Sequence, residues 1–537
     1  GEQSAEALAA AALEVGYPVL IKASAGGGGK GMRRVDDEAE FSAALAGAKR
    51  EAQAAFGDDE MLIERYLSSS RHIEIQVFAD SHGNAVHLFE RECSIQRRHQ
   101  KVIEEAPAPG LGEAIRARMA AAALDAVRAI GYQGAGTVEF IVEASRGLDE
   151  GAFYFMEMNT RLQVEHPVTE MITYLDLVEW QLRVAAGEPL PATQDELMID
   201  GHAIEARIYA EDPGRGFLPQ AGRLTRLRLP EPSPQVRVDS GVEEGDRITV
   251  HYDPMIAKLI VWDEDRSAAL RRLRSALAEV EVAGLTTNLA LLSAVAAHPA
   301  FARAEIDTGF IERHGNELVP EAGPLPDRVL ALAALDVLLR REAAAAEAAA
   351  RSADPHSPWR RLSGWRLNDE GHDDLEFLDG DRAITVGVGF CDGAYDLHLP
   401  GGTVRARGRL GPEGELRADL DGVRLGAAVV HEGRELTVIT PGAAHRLTWH
   451  EARDDLEAAE REGAAVTAPM PGKIIQHMVE AGARVKRGAA LLIMEAMKME
   501  HTIVAPSDGE VSRFNYQPGE QVDEGAVLLA FEAGGAE

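Results

Sequence analysis

The chain has 537 residues, 45% of them hydrophobic, and a formal net charge of −33. That length implies three or four domains with substantial cores, and the acidity excludes an extended nucleic-acid footprint. Cys93 and Cys391 are the only cysteines, so no disulfide framework is implied and a reducing compartment fits.

In chain order, Ser4 to Glu14 reads as a helix running into a strand at Val19–Ile21. Gly1 is not an initiator residue, so the chain is expected to begin inside a larger protein. No signal-peptide pattern is visible. Residues 1 to about 315 read as mixed α/β, with strand-like runs at Ile73–Val77, Val138–Val142 and Tyr154–Met158 between Ala-rich helices. Val282 to Ala302 has no charged side chain, but Gly284, Thr286, Thr287, Asn288, His298 and Pro299 make it a poor membrane span. From Pro326 the pattern changes. Val329 to Leu339 is apolar on nearly every side, which predicts a helix enclosed by other structure, continued by an Ala/Glu run to Arg351 and ended by Asp354-Pro355. From Trp365 to Trp449, short alternating segments such as Ala383–Val388, Tyr395–Leu399 and Glu435–Ile439 predict an antiparallel barrel or sandwich. Glu451 to Ala465 is charged and Ala-rich, the composition of a linker.

The C-terminal stretch repeats. Pro469, Gly472, Gly482, Val485, Gly488, Leu491, Leu492 and Glu495 recur as Pro506, Gly509, Gly519, Val522, Gly525, Leu528, Leu529 and Glu532, every pair 37 residues apart as Pro506 is from Pro469. A repeat without gaps predicts a duplicated β unit with glycines at turns and apolar residues on strands. Lys498, in Glu495-Ala496-Met497-Lys498-Met499, falls between the copies, where two strands would meet in a hairpin. A lysine held out on such a turn is placed to carry something on its amine.

Upstream, Ser24 to Met32 contains four consecutive glycines, Gly26 to Gly29, followed by Lys30 and Gly31. Glycines let backbone N–H groups approach phosphate oxygens closely. The dinucleotide reading fails because Arg33-Arg34-Val35 continues as a strand and not a helix, and the Walker A reading fails because Gly31 follows Lys30. Alone, the loop reads equally as a turn and as a phosphate lid. Lys22 just before it is placed to hold phosphate charge. Glu157 and Asn159, two apart on a strand, share a face, and a hairpin with Thr137–Phe140 would bring Glu139 close to Glu157. Carboxylates converging with an amide oxygen suit Mg²⁺. Arg161, Gln163 and Glu165 follow, with His166-Pro167 ending the run; Arg can fix an anion bidentately and a nearby Glu can act as a base. Gln96-Arg97-Arg98-His99-Gln100-Lys101 is a concentrated cationic and amide cluster in an acidic chain, suited to an anion. Arg207 is not singled out by any local spacing.

These motifs resemble known families. The C-terminal repeat resembles the biotin carboxyl carrier domain of biotin-dependent carboxylases; Met497 and Met499 favour biotin over lipoate. The first 315 residues resemble an ATP-grasp enzyme, specifically biotin carboxylase. The resemblance implies an α/β ATP-grasp region, a helix-plus-antiparallel β-barrel domain (316–450), a linker (451–465) and an all-β duplicated biotinyl/lipoyl-type sandwich (466–534). It implies that the α/β subdomain which precedes this point in the family, and completes the nucleotide cleft there, is absent from the chain. It implies ATP held by Lys22, Gly27, Gly28, Gly29, Glu64, Tyr66, Leu67, His72, Gln96 and His99, and Mg²⁺ (or Mn²⁺) held by Glu139, Glu157 and Asn159. Bicarbonate would be positioned by Lys101, Arg161, Gln163 and Val164 and deprotonated by Glu165. Arg207 would face the biotin, and Lys498 would bear it covalently.

The whole is similar to the α subunit of an acyl-CoA carboxylase. That implies a separate carboxyltransferase β subunit, a biotin protein ligase, and a large α6β6-type assembly, with neither nucleic acid nor membrane as partner. The compartment would be the cytoplasm in a bacterium or the mitochondrial matrix in a eukaryote. Gln96 to Gly110 and Asp176 to Arg183 look most like 3-methylcrotonyl-CoA carboxylase, with geranyl-, propionyl- and acetyl-CoA carboxylases left open. A different ATP-grasp ligase and a carrier or assembly scaffold are the competing readings.

Overall fold

The computed structural model describes residues 2–25, 32–67, 69–97, 100–144, 148, 152–249, 251–319, 323–357, 364, 366, 371–391, 393–412, 414–450, 465–469, 471–496, 499–523 and 525–533. Gly27, Gly28, Gly29, His99 and Lys498 lie outside the described residues, as does the linker at 451–464. The chain forms two compact units. The first comprises Gly1–Ala206, Ile260–Arg272 and Ala297–Gly315, and the second comprises Arg207–Leu259, Leu273–Ala296 and Asn316–Glu537.

In the first unit, helix Ala5–Val15 is capped by Ser4, whose side chain accepts from the Ala7 N–H, and leads into strand Val19–Ala23. That strand is central in a three-stranded sheet, between Arg33–Val35 and Met61–Arg65. Arg33–Val35 is a strand, as its sequence predicts, and pairs antiparallel with Val19–Ala23 through Val19↔Val35 and Ile21↔Arg33. The glycine run therefore joins two antiparallel strands, the opposite of the strand-to-helix turn that dinucleotide and Walker A loops need.

The larger sheet of this unit places six antiparallel neighbours in the order His202–Tyr209, Gln100–Ala106, Ala85–Arg97, Ser70–Ala79, Gly134–Glu143, Phe153–Asn159. Helix Glu113–Ala129 buries Ile115, Met119, Ala123 and Val127 against Ile73, Ile75, Val77, Val138 and Phe140. Elsewhere in the unit, Trp180 of helix Leu177–Ala185 packs edge-on against Phe78, ring centroids 5.5 Å apart. With apolar layers against it, Ser70–Ala79 has all ten residues buried, polar ones included.

In the second unit, eight strands from His372–Asp379 to Ala443–His450 each pair with the next and close through Glu376↔His450 and Phe377↔Trp449. Inside lies helix Asp327–Ala350, with every residue from Val329 to Leu338 buried. An α-helix without a polar face is stable only where protein surrounds it. A Cβ on Gly408 would come within 2.9 Å of both the Leu335 side chain and the Arg417 carbonyl, so glycine is what lets the helix approach that strand. The one acid in the buried run, Asp336, accepts from Arg340 Nε at 2.8 Å and contacts His431 Nε2 at 2.5 Å.

The repeat becomes two four-stranded sheets. Gly472–His477, Arg484–Val485 and Ala490–Ala496 correspond, 37 residues on, to Gly509–Phe514, Gln521–Val522 and Val527–Ala533. The register irregularity after Ile474 has its counterpart after Val511. Gly482 N–H donates to the Val511 carbonyl, and Gly519 N–H to the Ile474 carbonyl, both at 2.7 Å. Each copy thus completes the other. Gly482 and Gly519 have φ of 87° and 99°, which a side chain would strain. The first strand begins at Ala465, one residue earlier than the linker reading allowed. Among the described residues, no helix is long and apolar enough to cross a membrane.

Candidate active site

Strand register assembles the site. Glu139 sits directly opposite Glu157 and Thr137 opposite Asn159, so the predicted hairpin forms with both acids and the amide on one face. Asn159 Nδ2 donates to Glu139 Oε1 at 3.0 Å. On its other side Glu139 faces Glu74 across the sheet. Gln96 pairs with Lys101 in the hairpin of the cationic cluster, which carries Lys101 into the sheet.

Lys101 is the centre of the cluster. Its Nζ donates to Glu74 Oε2 at 2.6 Å, Glu165 Oε1 at 2.5 Å and Glu139 Oε1 at 3.1 Å. Burial opposes its charge, but Cys93 and the surrounding carboxylates of Glu74, Glu165 and Glu139 prevail and raise its pKa well above that of an ordinary lysine. Burial also pushes Glu139 up, yet the His72 hydrogen bond and the Lys101 charge outweigh it and hold the carboxyl at about 2. His72 Nε2 lies 3.2 Å from Glu139 Oε2. Gln163 Nε2 donates to Glu139 at 3.1 Å, and Arg161 Nη1 donates to Gln163 Oε1 at 2.5 Å. Glu165, 1% exposed, is the N-cap residue of helix His166–Thr173, so the His-Pro that ends the strand-like run also begins a helix. Val164, half-buried, precedes it.

The three-stranded sheet carries Lys22, whose Nζ is 3.7 Å from Glu64. Tyr66 follows that sheet's strand Met61–Arg65, its ring beneath the Arg34 guanidinium at 4.6 Å, and Leu67 comes next. Arg207 belongs to the second unit. It is buried, its Nη1 donates to Tyr209 Oη at 3.4 Å, and its carbonyl accepts from Asn288 Nδ2 at 2.9 Å. In the carrier fold, strands Ala490–Ala496 and Met499–Val504 pair as far as Ala496↔Met499, the described residues on either side of Met497 and Lys498 in the sequence.

Two residues at the centre were not singled out by sequence. Glu74 accepts from both Lys101 and Arg91; Arg91 Nε reaches its Oε1 at 2.6 Å. Ile73-Glu74-Ile75-Gln76-Val77 alternates with period two, a signal that puts His72, Glu74 and Gln76 on one face. Among the described residues, His72, Glu74 and Glu139 have ligand atoms within 4.8 Å of one another, as do Glu74, Cys93 and Glu165. Glu157 is in neither group, so its place beside Glu139 rests on register.

Antiparallel strands bridged by a glycine loop, an acid pair on adjacent strands and a lysine among carboxylates define an ATP-grasp catalytic region. Comparison with known proteins agrees. Residues 1–193 match the family "Carbamoyl-phosphate synthase L chain, ATP binding domain", 205–313 "Biotin carboxylase C-terminal domain", 326–452 "Methylcrotonyl-CoA carboxylase, alpha-subunit, BT domain" and 464–531 "Biotin-requiring enzyme". The chain is similar to the mitochondrial methylcrotonoyl-CoA carboxylase subunit alpha of Dictyostelium discoideum, 47% identical over 94% of this chain and 72% of that protein. It is also similar to the Rattus norvegicus protein of that name, 44% identical over 94% and 70%. Among solved structures, the biotin carboxylase domain of Hydrogenobacter thermophilus 2-oxoglutarate carboxylase, in complex with MgADP, ADP and bicarbonate, matches 60% of this chain and 69% of its own. The TM-score is 0.57 and the identity 44%. The chain belongs to the family of methylcrotonoyl-CoA carboxylase alpha subunits.

Proposed function

We propose that the protein uses ATP and bicarbonate to carboxylate biotin borne by Lys498, and that the carboxyl group then passes to 3-methylcrotonyl-CoA on a separate carboxyltransferase β subunit. The observation that carries this reading is Lys101, fixed between Glu165 and Glu139 on a sheet whose register sets Glu139 opposite Glu157.

The contacts of the described residues support these roles. Glu165, an acceptor against Lys101, takes the bicarbonate proton. The freed oxygen attacks the ATP γ-phosphorus and ADP leaves, giving carboxyphosphate, which breaks down to CO₂ and phosphate. Arg161, braced by Gln163, and Lys101 orient the bicarbonate; Val164 lines the same turn. Lys22, the glycine loop (Gly27, Gly28, Gly29) and the cations neutralise charge on the transferring phosphoryl group. Glu64, Tyr66, Leu67, His72, Gln96 and His99 complete the nucleotide contacts. Arg207 offers a guanidinium fork to an oxyanion. Glu139, Glu157 and Asn159 present only oxygen donors, a set that fits Mg²⁺ or Mn²⁺. Such an ion, when bound, supplies charge neutralisation at the phosphates, and biotin supplies the ureido nitrogen that accepts the carboxyl group. The tether raises the local concentration of biotin at each site it visits. A biotin protein ligase would load Lys498, and an α6β6 assembly would place the carrier within reach of the carboxyltransferase. The compartment is read as mitochondrial matrix in a eukaryote and cytoplasm in a bacterium.

The test uses the full-length subunit with its β partner. Mass spectrometry should find biotin on Lys498, and ATP hydrolysis should depend on bicarbonate and rise with free biotin. Lys498→Ala should abolish transfer to acyl-CoA while sparing carboxylation of free biotin. Among acyl-CoA thioesters, 3-methylcrotonyl-CoA should be the best acceptor. ATP hydrolysis indifferent to bicarbonate would sink the reading.

A further inference from the structure

Arg91 is 0% exposed, yet its guanidinium contacts no residue to which a role has been given above. Its Nε donates to Glu74 at 2.6 Å, its Nη1 to Gln76 at 2.7 Å and to Thr169 Oγ1 at 2.9 Å, and its Nη2 to Thr137 Oγ1 at 3.3 Å. These partners sit on three different elements. Glu74 and Gln76 share strand Ser70–Ala79, and Glu74 gives its other oxygen to Lys101. Thr137 is two residues from Glu139 on the same face of its strand. Thr169 is in the first turn of the helix that Glu165 caps.

We propose that Arg91 is a positioning residue for bicarbonate activation: it pins the helix that begins at Glu165, and the strand that carries Glu139, to the strand that carries Glu74. A buried cation is costly, and an apolar side chain of similar volume often serves stability as well or better, so stability alone is a weak reason for an arginine here. What the arginine adds is a planar fork reaching several acceptors in fixed directions, which lysine cannot copy. Rotation of the short helix His166–Thr173 would swing the Glu165 carboxylate away from Lys101; the Thr169 contact opposes that rotation. The inference rests on the reading of Glu165 as the base.

The test measures steady-state bicarbonate-dependent ATP cleavage by the full-length holoenzyme. Thr169→Val removes the hydroxyl while keeping shape, and Arg91→Lys keeps charge but loses the fork. Thr173→Val makes the same chemical change one turn on, where the hydroxyl donates to the Thr169 carbonyl at 2.7 Å. Because misplacing a reacting group by about 1 Å costs roughly a hundredfold in rate, a loosened helix should lower kcat in Thr169→Val by about tenfold. Its bicarbonate KM should rise, with the ATP KM and melting midpoint near wild type. Arg91→Lys should lose more, and Thr173→Val nothing. Folded Thr169→Val with wild-type kcat and bicarbonate KM would overturn the proposal, and so would equal losses in Thr169→Val and Thr173→Val. Wild-type enzyme lacking bicarbonate-dependent cleavage would instead refute the functional reading, so the two failures are distinguishable.

Discussion

Replacing Lys101 by Met removes an ammonium that touches Glu74, Glu139 and Glu165 together. In the wild type three buried carboxylates face Lys101 and Arg91, with the His72 imidazole against Glu139, and burial raises the pKa of Glu74. The variant loses one of these positive charges, and removing one partner of a buried ion pair costs about 3–5 kcal/mol. Proton uptake limits that cost. With an ordinary glutamate pKa of about 4.3, protonating one of the acids at pH 7 costs about 3.7 kcal/mol, so the variant takes up a proton once the bare charge costs more than that. The pH dependence follows with a definite sign. The folded variant binds one proton more than its unfolded state, so its stability falls by about 1.4 kcal/mol per unit as pH rises above about 4.3. Wild-type Lys101, its pKa raised, contributes stability that is fully present below the ordinary lysine value and lost only at still higher pH, so it stays charged throughout this window. The gap between wild type and Lys101→Met should therefore shrink from about 3.7 kcal/mol at pH 7 to about 1.6 at pH 5.5. Denaturant melts of the transition belonging to the first unit measure it, with bicarbonate-dependent ATPase as the functional readout, expected to drop at least a hundredfold. An unchanged gap at the two pH values, or a variant keeping half the activity, would refute the account of Lys101 as the neutralising centre.

Glu165→Gln should suppress bicarbonate-dependent ATP cleavage by at least about a hundredfold while leaving the melting midpoint within a few degrees, since a proton acceptor is lost and the shape kept. Glu105 is raised by burial, but hydrogen bonds from His202 and from Arg266 prevail and hold it at about 2. Its stabilisation, up to about 3 kcal/mol, is present above the ordinary glutamate value and lost as pH falls towards 2, and acid titration of Glu105→Gln should lack that component. In the barrel, Leu335→Ala should destabilise by about 2–5 kcal/mol in denaturant melts, because the cavity opens inside a closed ring of strands that cannot collapse around it.

What was legible in the sequence was what repeats or alternates locally. The 37-residue offset gave the duplicated carrier fold because identical glycines need identical turns, and the two-residue spacing of Glu157 and Asn159 gave their shared face. The apolar run Val329–Leu338 announced a surrounded helix, though barrel and sandwich were equally compatible with the strands that followed. What stayed hidden depends on layers. Nothing in Ile73-Glu74-Ile75-Gln76-Val77 says whether its polar face is wet; it is dry because the helices that carry Thr169 and Trp180 pack over the face shared by Glu74, Gln76 and Phe78. Arg91 reaches Thr169 across 78 residues, and Asn288 anchors Arg207 across 81, contacts that no local period encodes.

The geometry at Lys101 also explains why such a site cannot be tuned for stability alone. An ammonium has three donors, and here all three are taken by carboxylates. An incoming bicarbonate that uses this nitrogen therefore has to displace one of them. Glu74 is fastened from behind by Arg91, and Glu165 has the shortest contact of the three; Glu139, at 3.1 Å the longest, already has Asn159 and Gln163 donating to the same oxygen. Glu139 is thus the contact that opens at least cost, because its charge keeps two amide donors when Lys101 turns away. On the proposed role of Lys101, the resting cluster stabilises the fold through a bond that bicarbonate binding would break.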